Sequence, residues 1–344
     1  MDDSDGMRLL NHFDPSGVAG LSLFVPKRIR DLITMVVTTS VIPFHPETKM
    51  LEEVVASHEK HESELGECKK IIVCDFPKLS VSGSRQFKSG KVLEEDMVRY
   101  EEYIQRLEEL ARKGEPPFKN TSILRCKRYR GFAMAVNEAL SLVTTPYVMI
   151  IQHDRMLTRP FGLKMVMDVM QAHSSQIKYV GLASSKSDKQ AHLMNSRYRI
   201  DVTPKMYILD EDPSESDEQL KRRLLSNNPA DVKVPRRILV PLIFWYDSTH
   251  IACVDHYRDF VFGEHCIENV GPYWSQFKLG TGDFIEDKLG QAEREDVKMN
   301  GLRAHDKYGN YLLEDSCGPF VQHCHGRLLG TSTARTFETY FGDK

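Results

Sequence analysis

Polar residues that can bind a nucleotide or a metal follow three short apolar runs of this 344-residue chain. Thr38 and Thr39 end the first run, Asp75 ends the second, and residues 152–154 (Gln-His-Asp) end a later one. If these runs are parallel strands, their carboxyl ends meet at one sheet edge, where ligands of open α/β sheets bind. Asp75 can accept hydrogen bonds from a base or a ribose, or simply form a turn before Pro77.

Two further groups of residues are suited to a metal or a phosphate. His153 and Asp154 stand where a divalent cation could be held against a phosphate, and a carboxylate suits Mg²⁺ or Mn²⁺. Asp154 can equally cap a following helix. His323 and His325 are two residues apart, so on a strand both would face one ion. Arg327 can pair with diphosphate oxygens or with a surface carboxylate.

The elements that must position these groups follow from hydrophobic periodicity. Short apolar runs bounded by polar residues and prolines predict strands, and apolar residues at steps of three and four predict helices. Strands are predicted at 32–39, 69–75, 122–126, 147–151 and 179–182, and helices at 49–59, 91–112, 131–143 and 161–172. Strands and helices that alternate in this way predict an α/β fold with a doubly wound, mostly parallel sheet.

The chain divides by composition into four segments. Residues 1–30 have no sustained periodicity and are expected to form an N-terminal arm. Residues 31–182 contain the alternating strands and helices. Residues 183–236 are polar and are expected to form an insertion over the sheet. Residues 237–344 resume with an apolar run and then short strand-like pieces, and we expect them to complete the same domain.

Composition excludes several classes of protein. The chain has 41% hydrophobic and 28% charged residues and a net charge near −3, which gives no support to a nucleic-acid or membrane-surface binder. No apolar run approaches the roughly 18 residues of a membrane span. The seven cysteines are an odd number without close pairs, which favours a reducing compartment. We therefore expect a cytoplasmic protein, or one of the Golgi lumen if the chain is a trimmed form of a longer enzyme.

Residues 32–160 resemble the GT-A fold glycosyltransferases, especially glycosyltransferase family 2. The resemblance rests on the order and spacing of four pieces. They are an apolar strand that ends in a Thr/Pro loop, a strand that ends in Asp, a helix of the Gly-x-Ala-x-Ala-x-Asn type, and a strand that closes on a DxD motif, at residues 33–43, 71–75, 130–140 and 145–154. The sequence departs from the motif at Gln152, which replaces the first Asp, whereas Asp154 keeps the last.

The resemblance implies a GT-A (Rossmann-like) fold and a substrate pair. The donor would be a nucleoside-diphosphate sugar, with UDP favoured, and the acceptor a hydroxyl of a glycan or another molecule. Residues 31–182 would bind the donor, and residues 237–344 would bind the acceptor and supply the catalytic groups. The implied donor-binding residues are Thr38, Thr39, Asp75, Arg130, Asn137, Gln152, His153 and Arg327.

The resemblance also implies a metal site and a general base. Asp154 would hold Mn²⁺ or Mg²⁺, with His325 as the first choice of second ligand and His323 as the next. Residues 286–287 match the Glu-Asp motif of the family, in which one carboxylate deprotonates the acceptor during an inverting displacement. Asp287 is favoured as that base, with Glu286 beside it. Their structural alternative is an acidic helix start that the helix dipole stabilises.

Residues 245–250 and 273–274 contain both tryptophans and several polar groups. Aromatic faces with adjacent polar groups suit sugar rings, so these residues are expected on the acceptor side, with core packing as the alternative.

Two other functions compete with glycosyl transfer. A sugar-phosphate nucleotidyltransferase would have a Gly-rich loop after its first strand, and residues 38–46 contain no glycine. A non-catalytic glycosyltransferase-like binding module is favoured by Gln152. The binding-module alternative is less favoured because the chain has Asp154, the Glu286-Asp287 pair and the His-x-His of residues 323–325 together.

Overall fold

A ten-stranded mixed sheet runs through the computed structural model. The structure describes residues 27–185, 189–210, 216–226, 236–263, 278–315 and 317–324, and the backbone of Asn11–His12. The strands are β1 Asn11–His12, β2 Ile33–Thr39, β3 Lys69–Cys74, β4 Lys78–Leu79, β5 Lys91–Val92, β6 Thr121–Arg125, β7 Tyr147–Gln152, β8 Arg155–Leu157, β9 Tyr179–Leu182, β10 Tyr207–Ile208, β11 Ile238–Pro241, β12 His250–Cys253, β13 Asn310–Glu314 and β14 Val321–His323.

The large sheet has the strand order β1-β10-β11-β13-β9-β12-β7-β2-β3-β6. Its nine pairings make eight of the ten strands point the same way, with β11 and β12 reversed. All seven residues of β2 are buried, as expected of a parallel strand that is covered on both faces. The predicted α/β class with a mostly parallel sheet is therefore confirmed.

The helices are α1 Ile29–Leu32, α2 Lys49–His61, α3 Glu94–Lys113, α4 Gly131–Leu140, α5 Leu163–Ala172, α6 Gln190–Tyr198, α7 Asp217–Leu225, α8 Gln291–Asn300 and α9 His305–Tyr308. A wider helical turn at Glu286–Gly290 leads directly into α8. In α3 the buried residues include Tyr100, Ile104 and Leu107, at the predicted helical spacing. This helix begins at Glu94 and not at residue 91, because Lys91–Val92 pairs with β4.

The polar segment 183–236 contributes to the sheet in its described part. It contains α6, α7 and β10, and β10 pairs with β1 and β11. A second apolar cluster forms here, in which Met194, Met206 and Leu220 pack with Ile238 and Val240 of β11. Because polar residues predominate in this segment, its composition did not predict these few apolar side chains, which pack the segment against β11. Of the predicted N-terminal arm, only β1 and residues 27–30 lie within the described residues.

The end of the chain returns to the middle strands. Strand β14 pairs antiparallel with β8, with His323 opposite Arg155. Because β8 begins three residues after β7 ends, this two-stranded sheet places His323 beside the residues that follow β7. The strand on which His323 was expected is thus present as Val321–His323, and its pairing with β8 determines what it contacts.

Candidate functional site

The carboxyl ends of β2, β3 and β7 open into a cleft. Clefts at this position are the usual ligand sites of open α/β sheets. The start of α4 and the loops at 76–90 and 282–284 complete its walls. The predicted site residues that line the cleft are Thr38, Thr39, Asp75, Gln152, His153 and Asp154. Tertiary structure thus brings six of them together.

Asp75 joins the end of β3 to the start of α4. Its Oδ1 accepts hydrogen bonds from the backbone N–H of Phe76 (2.9 Å) and Arg130 (2.8 Å), and its Oδ2 accepts one from Gly131 (2.9 Å). Burial raises the pKa of this carboxyl, and the three N–H donors oppose the rise. A carboxylate has about four lone-pair positions, so about one remains for a ligand in the cleft. Asp75 therefore does more than form the turn before Pro77.

Two glycines allow the 280–283 loop to approach α4. Gly131 has φ +73°, and a Cβ there would lie 2.5 Å from the Cα of Gly282. The N–H of Gly282 donates to the carbonyl of Arg130 (2.7 Å), and the N–H of Ala133 donates to that of Asp283 (3.2 Å). Sequence reasoning missed Gly282 as part of the site. The available signal was the Gly-x-Gly at 280–282, which is typical of a tight turn.

The hydroxyl groups at the end of β2 are used to hold the strands together. Thr39 Oγ1 lies 2.8 Å from His153 Nδ1, and the N–H of Ser40 donates to the same nitrogen (3.4 Å). Thr38 Oγ1 donates to the carbonyl of Ile151 (3.4 Å). These contacts fix the end of β2 against the end of β7. The donor-binding role of Thr38, Thr39 and His153 stays a prediction.

Gln152 has a partner that an aspartate could not have. Its Nε2 donates to the backbone carbonyl of Asp247 (2.7 Å). A carboxylate at this position would place an acceptor oxygen against another acceptor. The departure from the DxD pattern therefore has a physical reason in the loop that carries Asp247, and it does not by itself indicate a degenerate site.

Asp154 is buried at the cleft and pairs with His323, which is partly exposed. His323 Nε2 lies 2.8 Å from Asp154 Oδ2, while the buried Oδ1 of Asp154 has no hydrogen-bond partner among the described residues. Burial would raise the pKa of Asp154, but the hydrogen bond from His323 and the nearby His153 and Arg155 lower it below its usual range. An ionised carboxylate with a free oxygen beside an imidazole fits a divalent cation such as Mn²⁺.

The described residues include two of the three predicted metal ligands, Asp154 and His323. Among the residues that the structure describes, no group of three or more His, Cys, Asp or Glu side chains could hold an ion. His325 and Arg327 lie outside the described residues. Asp154 and His323 are thus the members of the predicted set whose positions are known.

Two predicted donor-binding residues on α4 are not among the cleft residues. The side chain of Arg130 donates from Nε to Glu138 Oε2 at 2.6 Å, and this ion pair directs it along the helix. Only the backbone of Arg130 serves the site, through Asp75. Asn137 lies nearly two turns further along α4, partly buried.

Glu286 and Asp287 occupy different environments. Glu286 is partly buried and Asp287 is exposed. The N–H of Asp247 donates to Glu286 Oε2, and the N–H of Glu286 donates to Asp247 Oδ2, both at 3.2 Å. Sequence reasoning placed Asp247 within the segment 245–250 expected on the acceptor side, but gave it no individual role. It stands among apolar residues 39 positions earlier, and only the tertiary structure places it beside Glu286.

Trp245 is fully buried and packs at 4.5 Å, between ring centroids, from Tyr179. Its surroundings favour core packing over contact with a sugar. The second tryptophan, in the segment 273–274, lies outside the described residues.

Comparison with known proteins gives distant structural similarity only. No protein-family model and no curated protein matches the chain. The mannosyltransferase PcManGT from Pyrobaculum calidifontis, in complex with GDP-Man and Mn²⁺, is similar over 67% of this chain and 46% of its own, at 12% identity and TM-score 0.35. S. aureus TarS in complex with UDP-GlcNAc is similar over 84% of this chain and 57% of its own, at 12% identity and TM-score 0.40. The chain thus spans about half the length of these structures.

Within the described residues, no helix is long and apolar enough to cross a membrane.

Proposed function

We propose that the protein is a glycosyltransferase that moves a sugar from a nucleoside-diphosphate sugar, with UDP favoured, to a hydroxyl of a glycan or another acceptor. The observation that carries this proposal is the buried Oδ1 of Asp154, which has no partner among the described residues and lies beside His323, in the same cleft as Asp75 and Gln152. At this sheet edge, a cation site suits a diphosphate and a hydrogen-bond acceptor suits a base or ribose. The amide of Gln152 suits a hydroxyl.

The donor would lie across the three strand ends. The remaining lone pair of Asp75 would accept from the nucleoside, and the Oε1 of Gln152 is available to a hydroxyl because only Nε2 is used by Asp247. Lys88 lines the same cleft and supplies a positive charge for the diphosphate. Thr38, Thr39 and His153 would shape the wall through the strand contacts described above.

Asp154 and His323 would hold a divalent metal ion. When bound, that ion supplies positive charge where the leaving diphosphate develops negative charge. The proton of the acceptor hydroxyl requires a carboxylate near the cleft, for which Glu286 and Asp287 are the candidates. The proposal includes inversion of configuration at the anomeric carbon of the donor through a single displacement. Six cysteines of the described residues are free, which supports a reducing, cytoplasmic location.

Calorimetric titration tests the proposal. UDP, GDP, UDP-GlcNAc and GDP-mannose are titrated with and without Mn²⁺ into the wild type, Asp154→Ala and Asp168→Ala. Asp168 pairs with Lys164 on α5, away from the cleft, and serves as the matched control. We expect Mn²⁺-dependent binding of one nucleotide, weakened at least tenfold in Asp154→Ala and retained in Asp168→Ala. A folded wild type that binds none of the four would refute the proposal and favour a binding module of another kind.

A further inference from the structure

We infer that Glu286 accepts the proton of the acceptor hydroxyl and that Asp247 positions it for that role. This inference rests on the proposed function. It concerns the choice between two adjacent carboxylates, for which the sequence favours Asp287.

Asp247 connects the cleft to the start of a helix. Its side chain accepts from the backbone N–H of Ile285 and Glu286, and its own N–H donates to Glu286 Oε2. The first N–H groups of a helix have no partners within the helix, so Asp247 satisfies donors that would otherwise be unpaired. Gln152 of the cleft donates to the carbonyl of Asp247. Asp247 therefore contacts both the cleft and the start of this helix.

Both carboxyl groups retain an acceptor oxygen for a ligand. Asp247 is only 2% exposed, and its Oδ1 is buried without a hydrogen-bond partner. Within the described part of the chain, Glu286 Oε1 also makes no hydrogen bond, because its single such contact is made by Oε2. Buried polar atoms normally have partners, so the buried Oδ1 of Asp247, beside the partly buried Glu286, indicates a place for a donor such as a hydroxyl. Phe284, two residues before Glu286, lines the donor cleft.

Asp287 is unsuited to this place. It is exposed, whereas Glu286, one position earlier in the same wide helical turn, is partly buried. It makes no hydrogen bond or ion pair within the described residues. A general base must lie within hydrogen-bond reach of the proton that it removes, and only Glu286 is held towards Asp247.

The electrostatic surroundings of Glu286 suit a base at neutral pH. Burial raises the pKa of Glu286 and the charge of Asp287 adds to the rise, while the N–H of Asp247 and the positive Arg155 and Lys88 oppose it. The phenols of Tyr179, which comes from β9, and of Tyr246 and Tyr257 also lie within electrostatic reach of the pair. A raised pKa brings a carboxylate closer to the value that proton transfer requires.

The reaction balances with the groups at hand. The acceptor oxygen forms a bond to the anomeric carbon of the donor as its O–H bond breaks, and the proton passes to a Glu286 carboxylate oxygen. The bond between the anomeric carbon and the diphosphate oxygen breaks, and its electron pair leaves with the nucleoside diphosphate. Water replaces the acceptor in donor hydrolysis, and its proton follows the same route.

The test compares four variants, with release of nucleoside diphosphate from UDP-GlcNAc or GDP-mannose as the readout. Glu286→Gln should lower kcat at least about 100-fold with the donor dissociation constant changed less than threefold. Asp287→Asn should lower kcat less than threefold. Asp247→Ala should lower kcat about tenfold at unchanged KM, and Asp247→Asn should restore most of it, because the amide oxygen still accepts the two N–H groups.

Thermal melting verifies that each variant is folded, and Glu295→Gln, half-exposed on α8, is the matched surface control. An active Glu286→Gln, or an Asp287→Asn that loses activity instead, overturns the inference. So does a wild type that binds donor and releases no diphosphate. Failure of the wild type to bind any donor refutes the proposed function instead, so the two failures are distinguishable.

Discussion

Replacement of Gly131 by alanine tests whether the contact between α4 and the 280–283 loop supports the cleft. Gly131 has φ +73°, a conformation that costs an L-residue about 1–2 kcal/mol. The new Cβ would also lie 2.5 Å from the Cα and 2.7 Å from the N of Gly282, both backbone atoms that have no flexible end to move. Gly131→Ala therefore strains both its own backbone and the loop opposite.

The magnitude follows from three contributions. Overpacking costs about 1–3 kcal/mol, and loss of the hydrogen bond from Gly282 to Arg130 adds about 1 kcal/mol. With the backbone conformation included, the free energy of unfolding should fall by about 3–6 kcal/mol. The matched control is Gly114→Ala, since Gly114 has φ +68° and no atom within 4 Å of a Cβ. That variant should cost only about 1–2 kcal/mol, from the backbone conformation alone.

Urea denaturation of the two variants measures the difference. The expected gap of at least about 2 kcal/mol reports the contact between Gly131 and Gly282 alone, because the backbone conformations are alike. A gap below about 1 kcal/mol would refute the reasoning, since it would mean that the loop moves away without cost. Donor titration of folded Gly131→Ala should also show weaker binding, because Gly282 and Phe284 line the cleft.

Two further predictions concern buried polar contacts. Gln152→Glu should lower the free energy of unfolding by about 1–3 kcal/mol in urea denaturation, because a carboxylate replaces the amide that donates to Asp247. Gln105→Glu, which meets Glu101 on the exposed side of α3, should cost only about 0.2–0.5 kcal/mol, and equal costs would contradict this account. Burial raises the pKa of Glu293 well above its usual range. The folded form thus resists ionisation, so the stability of the wild type relative to Glu293→Gln should be greatest below about pH 4.3 and decrease as pH rises. Denaturation at pH 5 and pH 8 measures this decrease, and a difference that stays constant would count against it.

Sequence patterns predicted the central strands because their signal is local. The runs that became β2, β3 and β7 are short, apolar and bounded by polar residues or prolines, and their bounds agree to within about one residue with the structure. The positions of Asp75 and residues 152–154 followed from the same runs. Element ends were less accurate where another element intervened, as at β5, and the apolar run at 237–246 formed only the four-residue β11.

Residue pairs that are distant in the chain were decided by tertiary structure. The sequence placed Asp154 and His323 as candidates for one metal site, but only the pairing of β14 with β8, across 169 residues, brings them to 2.8 Å. Periodicity could not reveal that Gln152 donates to Asp247, nor that Asp247 holds Glu286.

The sequence by itself therefore determined which residues enter the core and which polar residues follow the strands. Those properties depend on side-chain type and on the two-residue or 3.6-residue repeat of one segment. The tertiary structure alone decided which of two adjacent carboxylates is held against Asp247 and why an amide replaces an acid at position 152. Both outcomes depend on the hydrogen-bond donors and acceptors that distant loops present. The hydrophobic repeat within one segment carries no information about those partners.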